Sequence, residues 1–166
     1  MYNITNSIEL VDIEEVNFKI MKLSTKVRYG TRAMLDLACY YGNGPVLLRD
    51  IARRQEISLK YLDRILSSLK AAGLVKTLRG AKGGFSLSQT PSKITIKQIA
   101  EALEGPLVLV DCLRSKTYCR KVNSCVTRDI WGDLNKAMEA VLKTTTLEDL
   151  VTRDKEKKKI PEMYYI

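Results

Sequence analysis

Between Ser58 and Gly73 the chain reads SLKYLDRILSSLKAAG, and placing this stretch constrains the rest of the fold. Leu59, Leu62, Ile65, Leu66 and Leu69 recur at helical spacing and predict one apolar stripe. Ser58 is positioned to cap the helix by accepting a bond from a first-turn N–H. Gly73 ends it at low cost in the left-handed conformation. Off the stripe, near the N-terminal end, stand Ser58, Lys60, Tyr61, Asp63 and Arg64, donors and acceptors suited to base edges and phosphates. Taken alone, the pattern fits an ordinary surface helix equally well. The preceding residues alter that balance. Leu48 to Gln55 (LRDIARRQ) reads as a short helix with Ile51 and Ala52 facing inward, and Glu56-Ile57 as a tight turn. Short helix, brief turn and longer helix form the helix-turn-helix layout.

After Gly73, residues Leu74 to Arg79 alternate like a strand, Gly80-Ala81-Lys82-Gly83-Gly84 supplies a turn, and Phe85 to Ser88 alternate again. This predicts a β-hairpin. Directly behind a helix-turn-helix it would be a wing, with Arg79, Gly80 and Lys82 at its tip. The glycines allow backbone to lie close to a groove, and an arginine there suits a narrow minor groove. A plain surface hairpin is the competing reading.

Charge supports contact with a polyanion. The net charge of +9 is not spread evenly. Residues 21 to 92 hold thirteen Lys/Arg against four Asp/Glu, while the remainder holds fifteen of each and sums to zero. The excess therefore lies with the candidate reading helix, where neutralising phosphates releases counterions. No basic amphipathic helix with bulky aromatics points to a membrane surface, and no apolar run is long enough to span one. The N-terminus lacks an export pattern, so a cytoplasmic protein is expected.

The rest of the chain falls into place around this centre. Residues 1–20 are acidic and unlike the better-patterned segment after them, which predicts a loosely attached arm or a short extra helix; Met21 is a candidate translation start. Leu23 to Tyr41 reads as a helix capped by Ser24 or Thr25, with Lys26 and Arg28 as candidate phosphate contacts and Cys39 as a small core hydrophobe. Thr95 to Leu103 is a further helix, stopped by Gly105-Pro106. From Val126 a long helix carries Ile130, Trp131, Leu134, Met138, Val141 and Leu142 on a broad apolar face, and a short helix comes after it. That face suits either a monomer core or a seam between two copies, and two copies are what reading two half-sites requires. The expected organisation is a winged helix-turn-helix domain over 21–105, a cysteine loop over 106–126, a dimerisation helix region over 127–151 and a charged, frayed tail over 152–166. The fold class is mainly α, with a β-hairpin wing and a long C-terminal dimerisation helix.

Cys112, Cys119 and Cys125 lie within one short stretch, in a chain with four Cys and no His. Their spacing is neither the paired C-x-x-C of a zinc ribbon nor the tight run of a bacterial ferredoxin. It leaves loops wide enough to wrap more than one ion. Arg114, Lys116, Arg120 and Lys121 favour thiolates and offset the charge of a thiolate-bound cluster. Iron–sulfur ligation ranks first, then zinc, then redox thiols, with three unliganded thiols as the plain alternative.

Several stretches together resemble the IscR/NsrR-type (Rrf-class) bacterial winged-helix regulators. They are MKLSTKVRYGTRAMLDLA, ISLKYLDRILSSLKAAGLV, RGAKGGFSL and the cysteine trio continued by CVTRDIWGDL, and they span Met21 to about Val151. The resemblance implies a homodimer on double-stranded promoter DNA with an inverted repeat. It implies Ser58, Lys60, Tyr61, Asp63 and Arg64 at the major groove and Arg79 in the wing. It also implies Cys112, Cys119 and Cys125 as ligands of a cluster, [2Fe-2S] ranked ahead of [4Fe-4S], that senses cluster supply, redox state or nitric oxide. One departure stands out. In the IscR-type branch a His lies three residues after the last Cys; here Arg128 occupies that position. A guanidinium is a poor ligand, so the fourth ligand is open: Asp129, a group from the partner subunit, an exogenous thiol or water. A winged-helix regulator with a structural zinc or a thiol switch, under effector control, is the first alternative. A small iron–sulfur electron carrier is another, and leaves the concentrated charge unexplained. Without His, paired carboxylates or a phosphate loop, an enzyme is not expected.

Overall fold

The computed structural model describes residues 23–80 and 83–159. The proposed arm over 1–20, Met21, Lys82 and the last seven residues of the proposed tail lie outside them. Among the described residues, six α-helices and one hairpin occur in the order α1 (Thr25–Cys39), α2 (Leu48–Gln55), α3 (Leu59–Ala71), β1 (Val75–Leu78), β2 (Gly84–Leu87), α4 (Ile96–Glu104), α5 (Val126–Thr144) and α6 (Leu147–Lys159). The winged helix-turn-helix expectation therefore holds in its elements and their order.

Local chemistry sets most of the boundaries. Ser24 caps α1 by accepting from the Val27 N–H at 3.1 Å. Thr95 and Gln98 form a reciprocal capping box at the start of α4. α3 behaves differently from its sequence expectation. Ser58 occupies the cap position, but its side chain makes no capping bond. Between α2 and α3 the chain reverses through Glu56, held at φ 52°, and the buried Ile57 plugs the turn, its N–H bonded to the Ala52 carbonyl. Gly73 takes φ 74° and releases the chain into β1 as expected.

The core lies where α1, α3 and α4 cross. Met34, Ile51, Leu62, Ile65, Leu66, Leu69, Ile94, Ile99 and Leu147 are fully enclosed, each worth roughly 1.5–3 kcal/mol of transfer free energy. Gly30 lets α1 and α4 approach, because a methyl group there would run into Leu103. Leu59, expected on the buried stripe, is 52% exposed. It is the first residue of α3, beyond the point where α1 and α4 lie behind the helix. Cys39, expected in the core, is exposed instead, because it ends α1 at the surface, with its Sγ 3.9 Å from Asp154 Oδ2.

The hairpin is antiparallel, pairing Val75 with Leu87, Lys76 with Ser86, Thr77 with Phe85 and Leu78 with Gly84. Val46 joins it by exchanging two backbone bonds of 2.8 Å with Phe85. The C-terminal region divides in two. All 19 residues of α5 escape burial, with Ile130, Trp131, Leu134 and Val141 exposed. α6 instead packs along α1, with Leu147 in the core and its N–H bonded to the Ile94 carbonyl. Residues 152–159, expected to fray, continue this helix, with Lys158 paired to Asp154 one turn away.

Candidate nucleic-acid interface and cysteine loop

α3 stands against the body through Leu62, Ile65, Leu66 and Leu69, which leaves Ser58, Lys60, Asp63 and Arg64 exposed near its N-terminal end. Tyr61 is different. It is half-buried, with its ring edge-on to Tyr29 of α1 at 6.0 Å, and Arg32 lies over the Tyr29 ring. Four of the five residues singled out on α3 and its cap therefore share a solvent face, and the fifth is tied to α1. Arg28 is exposed, but Lys26 is engaged: its ammonium donates to the Leu103 carbonyl at 2.6 Å. A cation at the C-terminal end of α4 favours both the dipole and an orphan carbonyl. Arg79 and Gly80 are exposed at the wing tip, and Gly80 has φ 108°. The Gly83 N–H closes the turn on the Gly80 carbonyl.

Some residues at this interface give little signal in the sequence. Arg49 is exposed at the start of α2 and shares a shallow depression with Leu47, Leu48 and Leu59. Asp36 is 5% exposed on α1 and accepts from Arg54 Nη2 and Nε at 2.6 and 2.9 Å and from Gln55 Nε2 at 3.0 Å. Arg54 is also stacked over the Tyr40 ring, and the hydrogen bond to Asp36 holds its pKa above the usual arginine value. Arg32 adds bonds to the Gln55 side chain and carbonyl. This network fixes the first helix of the helix-turn-helix to α1. An acid buried 18 residues before its partner leaves no periodic trace.

The cysteine loop is held by different elements. Cys112 sits half-buried in a single 3-10 turn over Asp111–Leu113, Cys119 is exposed, and Cys125 is the half-buried cap residue of α5. The Cys125 thiol lies 3.2 Å from Thr127 Oγ1. That hydroxyl, with the Arg128 backbone N–H, holds its pKa below the usual thiol value. Cys39 has the opposite bias, because burial and the Asp154 carboxylate push its thiol up. Among the described residues, no three His, Cys, Asp or Glu side chains converge to hold a metal ion, Asp129 included. The donor set suits thiolate ligation in kind, but the three sulfurs are not gathered in this arrangement. Arg128 donates from Nε to the Cys112 carbonyl at 3.2 Å, and Asn135 accepts the Leu109 N–H at 3.0 Å. Both bonds tie the loop to α5.

Comparison with known proteins agrees with this architecture. The sequence model of one family, described as "Rrf2: Iron-dependent Transcriptional regulator", matches residues 23–153. Protein rrf2 of Nitratidesulfovibrio vulgaris is 41% identical over 131 residues, covering 79% of this chain and 87% of that protein. The HTH-type transcriptional regulator CymR of Bacillus subtilis is 41% identical over 132 residues, covering 80% and 91%. Its structure, described as that of the global cysteine regulator, superposes with a TM-score of 0.70 at 39% identity over 81% of this chain and 98% of CymR. The structure of T. potens IscR superposes with a TM-score of 0.69 at 38% identity, covering 87% and 95%. No helix among the described residues is long and apolar enough to cross a membrane.

Proposed function

The chain belongs to the Rrf2 family of transcriptional regulators, and from that premise we propose that it acts in the cytoplasm as a homodimer on an inverted repeat in promoter DNA, under the control of an iron–sulfur cluster. The observation that carries the DNA-reading part is the solvent face of α3, where Ser58, Lys60, Asp63 and Arg64 stand clear of the body while the opposite side is locked into the core. In this reading α3 lies in the major groove, with Tyr61 orienting it against α1. Arg28 meets phosphate, and Arg79, Gly80 and Lys82 track the neighbouring minor groove. Arg49 adds a contact from α2. Lys26 acts indirectly, by fixing the end of α4. The dimer is argued from α5, whose exposed apolar side needs a covering surface that a second copy supplies.

Cys112, Cys119 and Cys125 would hold the cluster, with [2Fe-2S] preferred, and Asp129 or a group outside the chain would complete the set. When bound, such a cluster supplies one-electron redox chemistry and sensitivity to oxidants or nitric oxide. The protein's part is to transmit the state of its loop. Arg128 and Asn135 bind that loop to α5, so a change in the 111–125 backbone reaches the dimer seam and the spacing of the two reading helices. A coupling of about 1–3 kcal/mol suffices for a roughly 5–150-fold change in affinity.

The test is a visible absorption spectrum of protein purified without oxygen, with iron and sulfide assayed on the same sample. The expected result is charge-transfer bands with matched iron and sulfide, both lost in Cys112→Ala while the dimer stays folded. A second reading, a cluster-free regulator controlled by an effector, is favoured by the ungathered thiols and by Arg128 at the position of the missing His. Colourless protein that still binds a cognate promoter would establish it in place of the first.

A further inference from the structure

Lys76 and Ser86 stand directly opposite each other in the antiparallel register of the wing. Opposed residues put their side chains on one face of a hairpin, with Cβ atoms about 5 Å apart. Both line a cavity of about 340 Å³ between the hairpin, the C-terminal end of α1 and the turn at Gly42–Val46. Tyr40, Tyr41, Leu78 and Phe85 supply much of its wall. The volume falls within the range of small-molecule sites, which begins near about 300 Å³.

Two polar features of this cavity have no internal explanation. Ser86 Oγ is withdrawn from solvent and has no hydrogen-bond partner among the described residues, whereas buried side-chain polar atoms nearly always have one. Lys76 makes no ion pair among the described residues, and no acidic side chain lines the cavity. The walls are also fixed in advance. Tyr40 is stacked against Arg54 at 4.4 Å, and Arg54 is clamped by Asp36. The paired bonds of Val46 and Phe85 hold the turn to the wing, and the bare backbone of Gly84 packs against Val46.

We propose that this cavity binds a small organic anion, a monocarboxylate with an aromatic or branched apolar body. The carboxylate accepts hydrogen bonds from Lys76 Nζ and Ser86 Oγ, and the body lies among Tyr40, Tyr41 and Leu78. A single cation and a largely apolar wall fit a monoanion better than a phosphate, which calls for several donors. Neither α3 nor the cysteine loop contributes to the lining, so the site is distinct from the reading helix and the proposed cluster ligands, while it shares the wing strands with the proposed minor-groove contacts.

The experiment is a titration of the full chain, ¹⁵N-labelled, with benzoate, phenylacetate and isovalerate, and with phenylacetamide as the uncharged control. The expected result is saturable shifts of the Tyr41, Lys76 and Ser86 amides, with a Kd below about 1 mM for at least one carboxylate. Phenylacetamide, and phenylacetate on Lys76→Met or Ser86→Ala, should bind about tenfold more weakly, as the loss of a charge-assisted bond implies. Lys76 is exposed on the wing, and an amide spectrum of the ligand-free variants that is unchanged away from the substituted position shows the fold intact. Three results would each overturn the proposal: no saturable shift with any carboxylate, shifts confined to other parts of the chain, or undiminished binding to Lys76→Met.

Discussion

The Asp36–Arg54 pair makes an unequal prediction for its two halves. Asp36 has 3% of its side chain exposed and Arg54 has 29%. Replacing Arg54 by Met keeps an apolar stem of similar length but leaves a carboxylate inside the protein with only the Gln55 amide for company. Breaking a buried pair in this way costs about 3–5 kcal/mol, most of it the desolvation of the orphaned charge. Replacing Asp36 by Asn strands a guanidinium that already reaches water and can hydrate there, so the cost is the lost charge-assisted bonds, about 1.5–3 kcal/mol. Replacing both, as Asp36→Leu with Arg54→Met, removes the charges together and returns most of the loss, since apolar pairs of matching volume often equal or exceed a buried ion pair. Urea unfolding monitored by far-ultraviolet circular dichroism, at one fixed protein concentration, reads all three differences from the midpoints and slopes. The expected order of destabilisation is Arg54→Met, then Asp36→Asn, then the double variant. A double variant as unstable as Arg54→Met, or Asp36→Asn as the worst of the three, would refute the assignment of the cost to the enclosed carboxylate.

Alkylation of the metal-free protein with iodoacetamide below the ordinary thiol range should label Cys125 before Cys39, because Thr127 favours one thiolate while burial and Asp154 disfavour the other; mass spectrometry gives the order, and Cys39 reacting first would contradict it. Lys97 bridges α4 to Glu139 of α5, and their hydrogen bond holds the carboxyl of Glu139 low and the ammonium of Lys97 high. The contribution of Glu139 is present above the unfolded carboxylate pKa and lost as pH falls through the folded one; that of Lys97 is present below the unfolded lysine pKa and lost as pH rises through the folded one. Hydrogen exchange of α5 should therefore differ between the native chain and Glu139→Gln at neutral pH and converge in acid, a gap independent of pH being the contrary result. Gly84→Ala places a methyl 2.5 Å from the Val46 carbonyl at φ 155° and should cost about 1–3 kcal/mol in urea unfolding, against no change if the turn yields freely. Leu134→Glu on the exposed side of α5 should shift sedimentation from dimer to monomer, with circular dichroism unchanged; a persistent dimer would place the seam elsewhere.

The parts of this fold that showed in the sequence are those governed by neighbours along the chain. Ser24 announces α1 because capping is a contact over three residues. The glycine-rich stretch between two alternating runs announces the hairpin, and the stripe from Leu62 to Leu69 announces the buried side of α3. The features that did not show depend on what the chain meets later. Asp36 is an acid on a helix until Arg54 arrives beside it, and Lys26 is a free cation until α4 ends at its side chain. Leu59 keeps the stripe's spacing but lies past the end of the surface that would cover it. Cys39 has the composition of a core position at a helix end that meets α6 only at its rim. Arg128 reads as a missing ligand, and its bond to the Cys112 carbonyl appears only when the loop is folded against α5.

The geometry of α5 has a mechanical consequence. Its 19 residues make a rod about 28 Å long. At one end the Thr145 carbonyl is strapped to the Ile96 N–H at the head of α4; at the other the cysteine loop is fastened by Arg128. Such a rod is a lever with its fulcrum against the DNA-binding body. A rotation of roughly 5° at the strap carries the far end roughly 2.5 Å, at about 1.5 Å of rise per residue, while bending the rod itself would require breaking helical hydrogen bonds. Displacement at the loop is therefore exchanged for torque at the root of α4, and the length of α5 sets the gear ratio between them.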